Sequence, residues 1–168
     1  EAAWVEFGSN EEAAAWSAKY ESVLDCDGPG RFAWDFYQPS PSDTYGEFDK
    51  SGYFASFYQE CTVNEGQTPD DIRAVVAKFE EYLESAASFG PYTYGLYFPA
   101  SELSENANSS DLLWGNFFGT FEGAEKGFGD YEVNGKEMQA DFDKVMICGD
   151  NDVWHTQTLY DPTNPDLS

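Results

Sequence analysis

The chain has 168 residues, enough for one well-packed domain or one domain with a half-sized attachment, and too few for two full domains. Hydrophobic residues make up 41%, with 14 Phe, 11 Tyr and 5 Trp, which supplies a packed core and excludes a disordered chain. Acidic residues outnumber basic ones 32 to 8, and a net charge of -24 repels phosphate backbones and anionic lipid, so nucleic acid and membrane surfaces are excluded as partners.

No apolar run approaches the roughly 20 residues that cross a bilayer, so membrane insertion is not expected. The acidic exterior reads first as a solubility device in salty solvent. The chain opens on Glu1 without a basic start or an apolar signal core, and the expectation is an exported protein, periplasmic or extracellular, whose targeting segment has been removed.

In chain order, a short apolar stretch (Ala3 to Phe7) precedes S-N-E-E, a capping box in which Glu12 reaches back to the Ser9 backbone. Ala13, Trp16, Tyr20 and Leu24 then give the stripe of an amphipathic helix, broken by DCDGPG. RFAWDFYQP (Arg31 to Pro39) alternates as a strand, with Phe32, Trp34 and Phe36 on one face. After a polar linker, Tyr53 to Val63 is a second strand. Thr68 caps the helix that follows, Pro69 takes its first position, and Ile72, Val75, Val76, Phe79, Leu83 and Ala86 form its buried stripe. Gly90-Pro91 stops it before a strand from Tyr92 to Phe98. A polar loop, a strand from Leu112 to Phe118, a glycine-weakened helix from Thr120 to Val145 and a strand from Val153 to Tyr160 complete the chain.

The chain repeats itself. FGSNEEAAAWSAKYE begins at Phe7 and FGTFEGAEKGFGDYE at Phe118, and further on Cys26 aligns with Cys148 and Phe32 with Trp154. The third β-α-β unit is therefore a copy of the first, whereas the middle unit differs. Together the middle and third units give β-α-β-β-α-β, the ferredoxin-like split order. The expected fold is α+β: a ferredoxin-like module with an antiparallel sheet and helices on one face over residues 43–162, a half-module over 1–42 and a tail over 163–168. The other half of the first module is expected outside this chain or on a partner subunit.

The first and last strands of such a module are neighbours, which makes a Cys61 to Cys148 disulfide the expected pairing. Cys26, at the position equivalent to Cys148, is then the unpaired thiol.

With Trp114, Phe118-Gly119-Thr120, Glu122 and Ala124 before a helix, and C-x-x-x-x-x-x-H at Cys148 and His155, the chain resembles a group of small exported proteins of marine proteobacteria. The resemblance implies a dimeric α+β barrel of ferredoxin-like domains. By fold alone the chain is also similar to the antibiotic-biosynthesis monooxygenase superfamily.

His155 is the single histidine, so a catalytic base or metal ligand near neutral pH is either His155 or a carboxylate of shifted pKa, and His155 is the only specific candidate. No nucleophile-elbow, zinc-protease, phosphate-loop or paired C-x-x-C motif accompanies it. Asp25 with Asp27 and Asp150 with Asp152 place carboxylates two apart as calcium requires, but both pairs sit at turns where Asp and Gly are favoured anyway. Tyr58, Tyr94, Trp154 and His155 are the candidates for a ligand pocket or interface. The expectation is a non-enzymatic interaction or ligand-binding module without cofactor or metal, engaging a protein partner, another copy of itself or a small molecule. The alternative is a cofactor-free, monooxygenase-like enzyme acting on a small aromatic substrate through His155 and pocket tyrosines.

Overall fold

The computed structural model describes residues 8–20, 34–41, 43–49, 52–86, 89–100 and 110–157. The chain divides into two compact units, Glu1–Phe32 and Ala33–Ser168.

In the first unit, helix α1 spans Asn10–Tyr20. The Ser9 hydroxyl accepts from the Glu12 backbone N–H at 3.2 Å, as the capping motif requires. The Glu12 carboxylate reaches one residue further back than expected, accepting from the Gly8 N–H at 3.1 Å. The half-module's flanking segments, with Cys26, Asp25 and Asp27, lie outside the described residues.

The second unit is α+β: six strands among the described residues form one antiparallel sheet with helices packed on one face. These are β1 (Trp34–Tyr37), β2 (Tyr53–Val63), β3 (Tyr92–Pro99), β4 (Leu112–Phe118), β5 (Met146–Cys148) and β6 (Asp152–Gln157). The order across the sheet is β1, β3, β4, β2, and both β5 and β6 then pair with the far side of β2. Strand β1, read from sequence as part of the first β-α-β unit, pairs with β3, setting Phe36 beside Tyr97.

Helix α2 (Pro69–Ser85) follows its sequence signals closely. Thr68 and Asp71 exchange bonds, the Asp71 carboxylate accepting from the Thr68 N–H at 2.8 Å and the Thr68 hydroxyl from the Asp71 N–H at 3.4 Å. Ile72, Val75, Val76, Phe79 and Leu83 are buried on one stripe.

The single helix expected over 120–145 is instead two, α3 (Phe121–Asn134) and α4 (Lys136–Val145). Gly135 interrupts them, and a Cβ there would lie 2.4 Å from Tyr131 Cδ2 and 2.7 Å from the Tyr131 carbonyl oxygen. The break lets α4 turn onto α2, where Lys78 and Asp141 form an ion pair at 2.6 Å. Thr120 caps α3 through the Gly123 N–H at 3.0 Å. The caps Ser9 and Thr120 are equivalent positions of the sequence repeat, and each opens a helix at the next residue.

Strand β5 was not expected either; from sequence the helix ends at Val145 and the last strand begins at Val153, which leaves 146–148 unassigned. It exists because Cys61, Thr62 and Val63 of β2 offer an unpaired edge to Cys148, Ile147 and Met146. At Gly149 the edge breaks, its N–H bonding the Glu60 carbonyl at 2.9 Å, and β6 resumes opposite residues 53–58. The last expected strand residues, 158–160, lie outside the described residues.

Alternation divides the sheet chemically. Ala55, Phe57, Cys61, Tyr92, Tyr94, Leu96, Leu112, Trp114 and Phe118 join Met146 and the apolar helix stripes in one core cluster. The other face carries Phe36, Phe54, Ser56, Tyr58, Tyr97 and Phe117. There Gly95 and Gly115 sit directly opposite each other, and Phe36 lies so close over Gly95 that a Cβ would fall 2.1 Å from its ring.

Candidate ligand cavity

The four aromatic and histidine candidates do not share one surface, although Tyr58 and Trp154 lie on the same face of the sheet. Tyr94 is buried on the helix side of the sheet, its ring stacked 5.1 Å from Trp114. Tyr58 is buried on the opposite side, 5.7 Å from Phe117 and 6.1 Å from Tyr97. Trp154, opposite Ser56 on the same side as Tyr58, is 38% exposed. His155 is exposed on the edge strand β6, against Tyr53 at 4.5 Å and Phe121 at 5.6 Å. The sheet separates Tyr58 and Trp154 from Tyr94 and His155, while β4 and β2 stand between the last two.

Asp150 and Asp152 are exposed, and among the described residues no three His, Cys, Asp or Glu side chains gather as a metal site. Cys61 and Cys148 are bonded to each other, their Cα atoms 4.0 Å apart across directly paired positions of β2 and β5.

A cavity of about 150 Å³ lies between the sheet and the helix layer. Phe79, Tyr82 and Leu83 of α2, Phe128 and Tyr131 of α3, and Phe142 of α4 form its helical walls. Trp114, Asn116 and Phe118 of β4, with Tyr92, Met146 and Cys148, form its floor. The rings meet mostly edge to face: Phe79 to Trp114 at 5.6 Å, Trp114 to Phe142 at 5.2 Å and Tyr82 to Tyr131 at 5.6 Å. Glycines let α3 come close enough to wall it. A Cβ at Gly123 would stand 2.8 Å from the Phe89 carbonyl oxygen, and one at Gly127 would stand 2.8 Å from Phe118 Cε1.

No charged side chain among the described residues lines this cavity. Its floor holds one buried amide, Asn116, 6% exposed. Asn116 Oδ1 accepts from the Tyr92 hydroxyl at 2.8 Å and from Trp114 Nε1 at 3.1 Å. An indole N–H only donates, so the oxygen must face Trp114 and the amide is fixed in one orientation.

The wall phenols are donors. Tyr82 donates to Asp130 Oδ2 at 3.0 Å, and burial followed by that carboxylate pushes its pKa up to about 12. Tyr131 donates to Gln139 Oε1 at 3.0 Å, and burial first of all raises the pKa of both Tyr131 and the fully buried Tyr92. At neutral pH none of these tyrosines is a base.

A second polar cluster borders the core. Ser40, Tyr45 and Tyr94 all donate hydroxyl bonds to the Glu80 carboxylate, Tyr45 at 2.9 Å. Burial and then Glu80 raise both phenols, Tyr45 to about 12. The three bonds fasten the segment before β2 to α2 and β3. Neither Glu80 nor Asn116 stands in a recognisable motif; only their placement within an apolar helix stripe and an aromatic strand marks them in the sequence.

No family model, curated protein or solved structure matches the chain.

Proposed function

We propose that the chain is a non-enzymatic, exported ligand-binding module of ferredoxin-like architecture that holds a small molecule between its sheet and its helix layer. The cavity carries this reading: aromatic walls, no lining charge among the described residues and one orientationally fixed amide are what a preformed small-molecule site needs. A cavity of this volume is of the size that admits a single aromatic ring, on the order of 150 Å³. Among strands from residue 53 onward, the sequence β3, β4, β2, then β5 with β6 supports the split β-α-β-β-α-β topology. The Cys61–Cys148 disulfide supports an oxidising compartment. No helix among the described residues is long and apolar enough to cross a membrane. His155 is not among the cavity's lining residues, so the monooxygenase-like alternative has no observation in its favour.

The test is an NMR titration of the chain with toluene, following Trp114 and the Phe79 and Phe142 rings, beside the variant Leu83→Phe. Leu83 is buried on the cavity wall, and the added ring fills the space a ligand takes. Saturable shifts in the parent and none in the folded variant are expected; parent spectra that stay unchanged would sink the proposal.

A further inference from the structure

We infer the chemical class of the ligand: an uncharged, single-ring aromatic carrying one hydrogen-bond acceptor, such as an aryl ketone or aldehyde, held through Asn116 Nδ2. This rests on the cavity reading above.

Three observations converge. First, Tyr92 and Trp114 both donate to Asn116 Oδ1 and so occupy the accepting side of the amide, while its NH₂ enters neither bond. What Asn116 offers a ligand is therefore a donor, and the complementary ligand atom is an acceptor. The other lining amides are directed elsewhere: Gln59 Nε2 donates to the Gly149 carbonyl at 2.9 Å and Gln139 Nε2 to Asp143 Oδ1 at 2.7 Å.

Second, charge is selected against in both signs. No cation among the described residues lines the cavity to receive an anion, and the chain's net charge of -24 repels one before it arrives. A cation finds aromatic faces, which attract it, but no lining carboxylate among the described residues, and it meets the positive end of the Asn116 amide dipole. Tyr82 shields Asp130 by bonding it, and Tyr94 and Tyr45 do the same for Glu80. Third, the walls are rings packed edge to face, so a flat ring continues their arrangement, whereas a flexible aliphatic chain loses rotamer freedom on entry.

The test is calorimetric titration of the chain with three probes of similar size: acetophenone, ethylbenzene and phenyltrimethylammonium. Acetophenone is expected to bind about tenfold more tightly than ethylbenzene, the worth of one buried hydrogen bond, and the cation is expected not to bind. Asn116→Leu is expected to abolish the acetophenone preference while ethylbenzene still binds. Equal affinities for acetophenone and ethylbenzene, or tighter binding of the cation, would overturn the ligand class while leaving the cavity as a binding site. Failure of all three probes would overturn the cavity reading itself. The parent series decides the matter even where the Leu variant fails to fold.

Discussion

Trp114 Nε1 donates to Asn116 Oδ1 across two positions of the same strand face, at 3.1 Å, in the interior of the helix-covered core. A neighbouring pair thus satisfies an indole donor and orients an amide in one step, and the Tyr92 hydroxyl adds a second donor. Replacing Asn116 with Leu leaves two buried donors without their acceptor. We expect a loss of about 2–4 kcal/mol, one unsatisfied group costing about 1–3 kcal/mol. Urea unfolding followed by tryptophan fluorescence reads it; a loss under about 0.5 kcal/mol means the donors find other partners.

The disulfide closes a loop with a sequence separation of 87. Chain-entropy arguments give about 4–5 kcal/mol for a loop of this length, with smaller values common in practice. The double variant Cys61→Ala, Cys148→Ala is expected to lower the urea midpoint substantially, and reductant is expected to shift the parent alone. Parent and variant midpoints that coincide without reductant would show the bond to be dispensable.

How much of this was legible in the sequence depended on how local each cause is. The Thr68 cap and the stripe from Ile72 to Leu83 lie within a few residues of one another, so spacing alone revealed α2. Aromatic-rich runs bounded by turn and polar segments likewise revealed β2, β3 and β4, and the disulfide followed from the expected neighbours of β2. Strand β5 was hidden because residues 146–148 are extended only by pairing with residues 61–63, more than eighty positions away. The Glu80 cluster was hidden for the same reason, gathering donors 40, 35 and 14 residues distant. Asn116 does not stand out in the sequence, where it is one polar residue in an aromatic strand; its role depends on Tyr92, which only the β3–β4 register brings within reach.

Two helix glycines make opposite predictions. Gly129, inside α3, has nothing within 4 Å of a would-be Cβ, so Gly129→Ala is expected to stabilise by about 0.5–1 kcal/mol through helix propensity. Gly135, between α3 and α4, would put its Cβ against Tyr131 at 2.4 Å, so Gly135→Ala is expected to destabilise by about 1–3 kcal/mol. Thermal melts of both variants check the pair. A stabilised Gly135→Ala would mean that the α3–α4 break follows from something other than this close approach.

Alkaline pH probes the partly buried phenols directly. Tyr45 and Tyr82 have pKa values raised to about 12 from 10.0, by burial first and by their carboxylate partners Glu80 and Asp130 second. The unfolded chain therefore gives up these protons near pH 10 and the folded chain only near pH 12. Their contribution is fully present below pH 10 and declines as pH rises through that interval. Tyr82→Phe removes one raised titration and leaves those of Tyr45, Tyr92, Tyr94 and Tyr131, so its stability is expected to fall less steeply across the same range, and phenolate absorbance of the parent is expected to lag that of the urea-unfolded chain. Parallel stability curves for parent and Tyr82→Phe between pH 10 and 12 would show that the Tyr82–Asp130 contact does not hold the phenol protonated in solution.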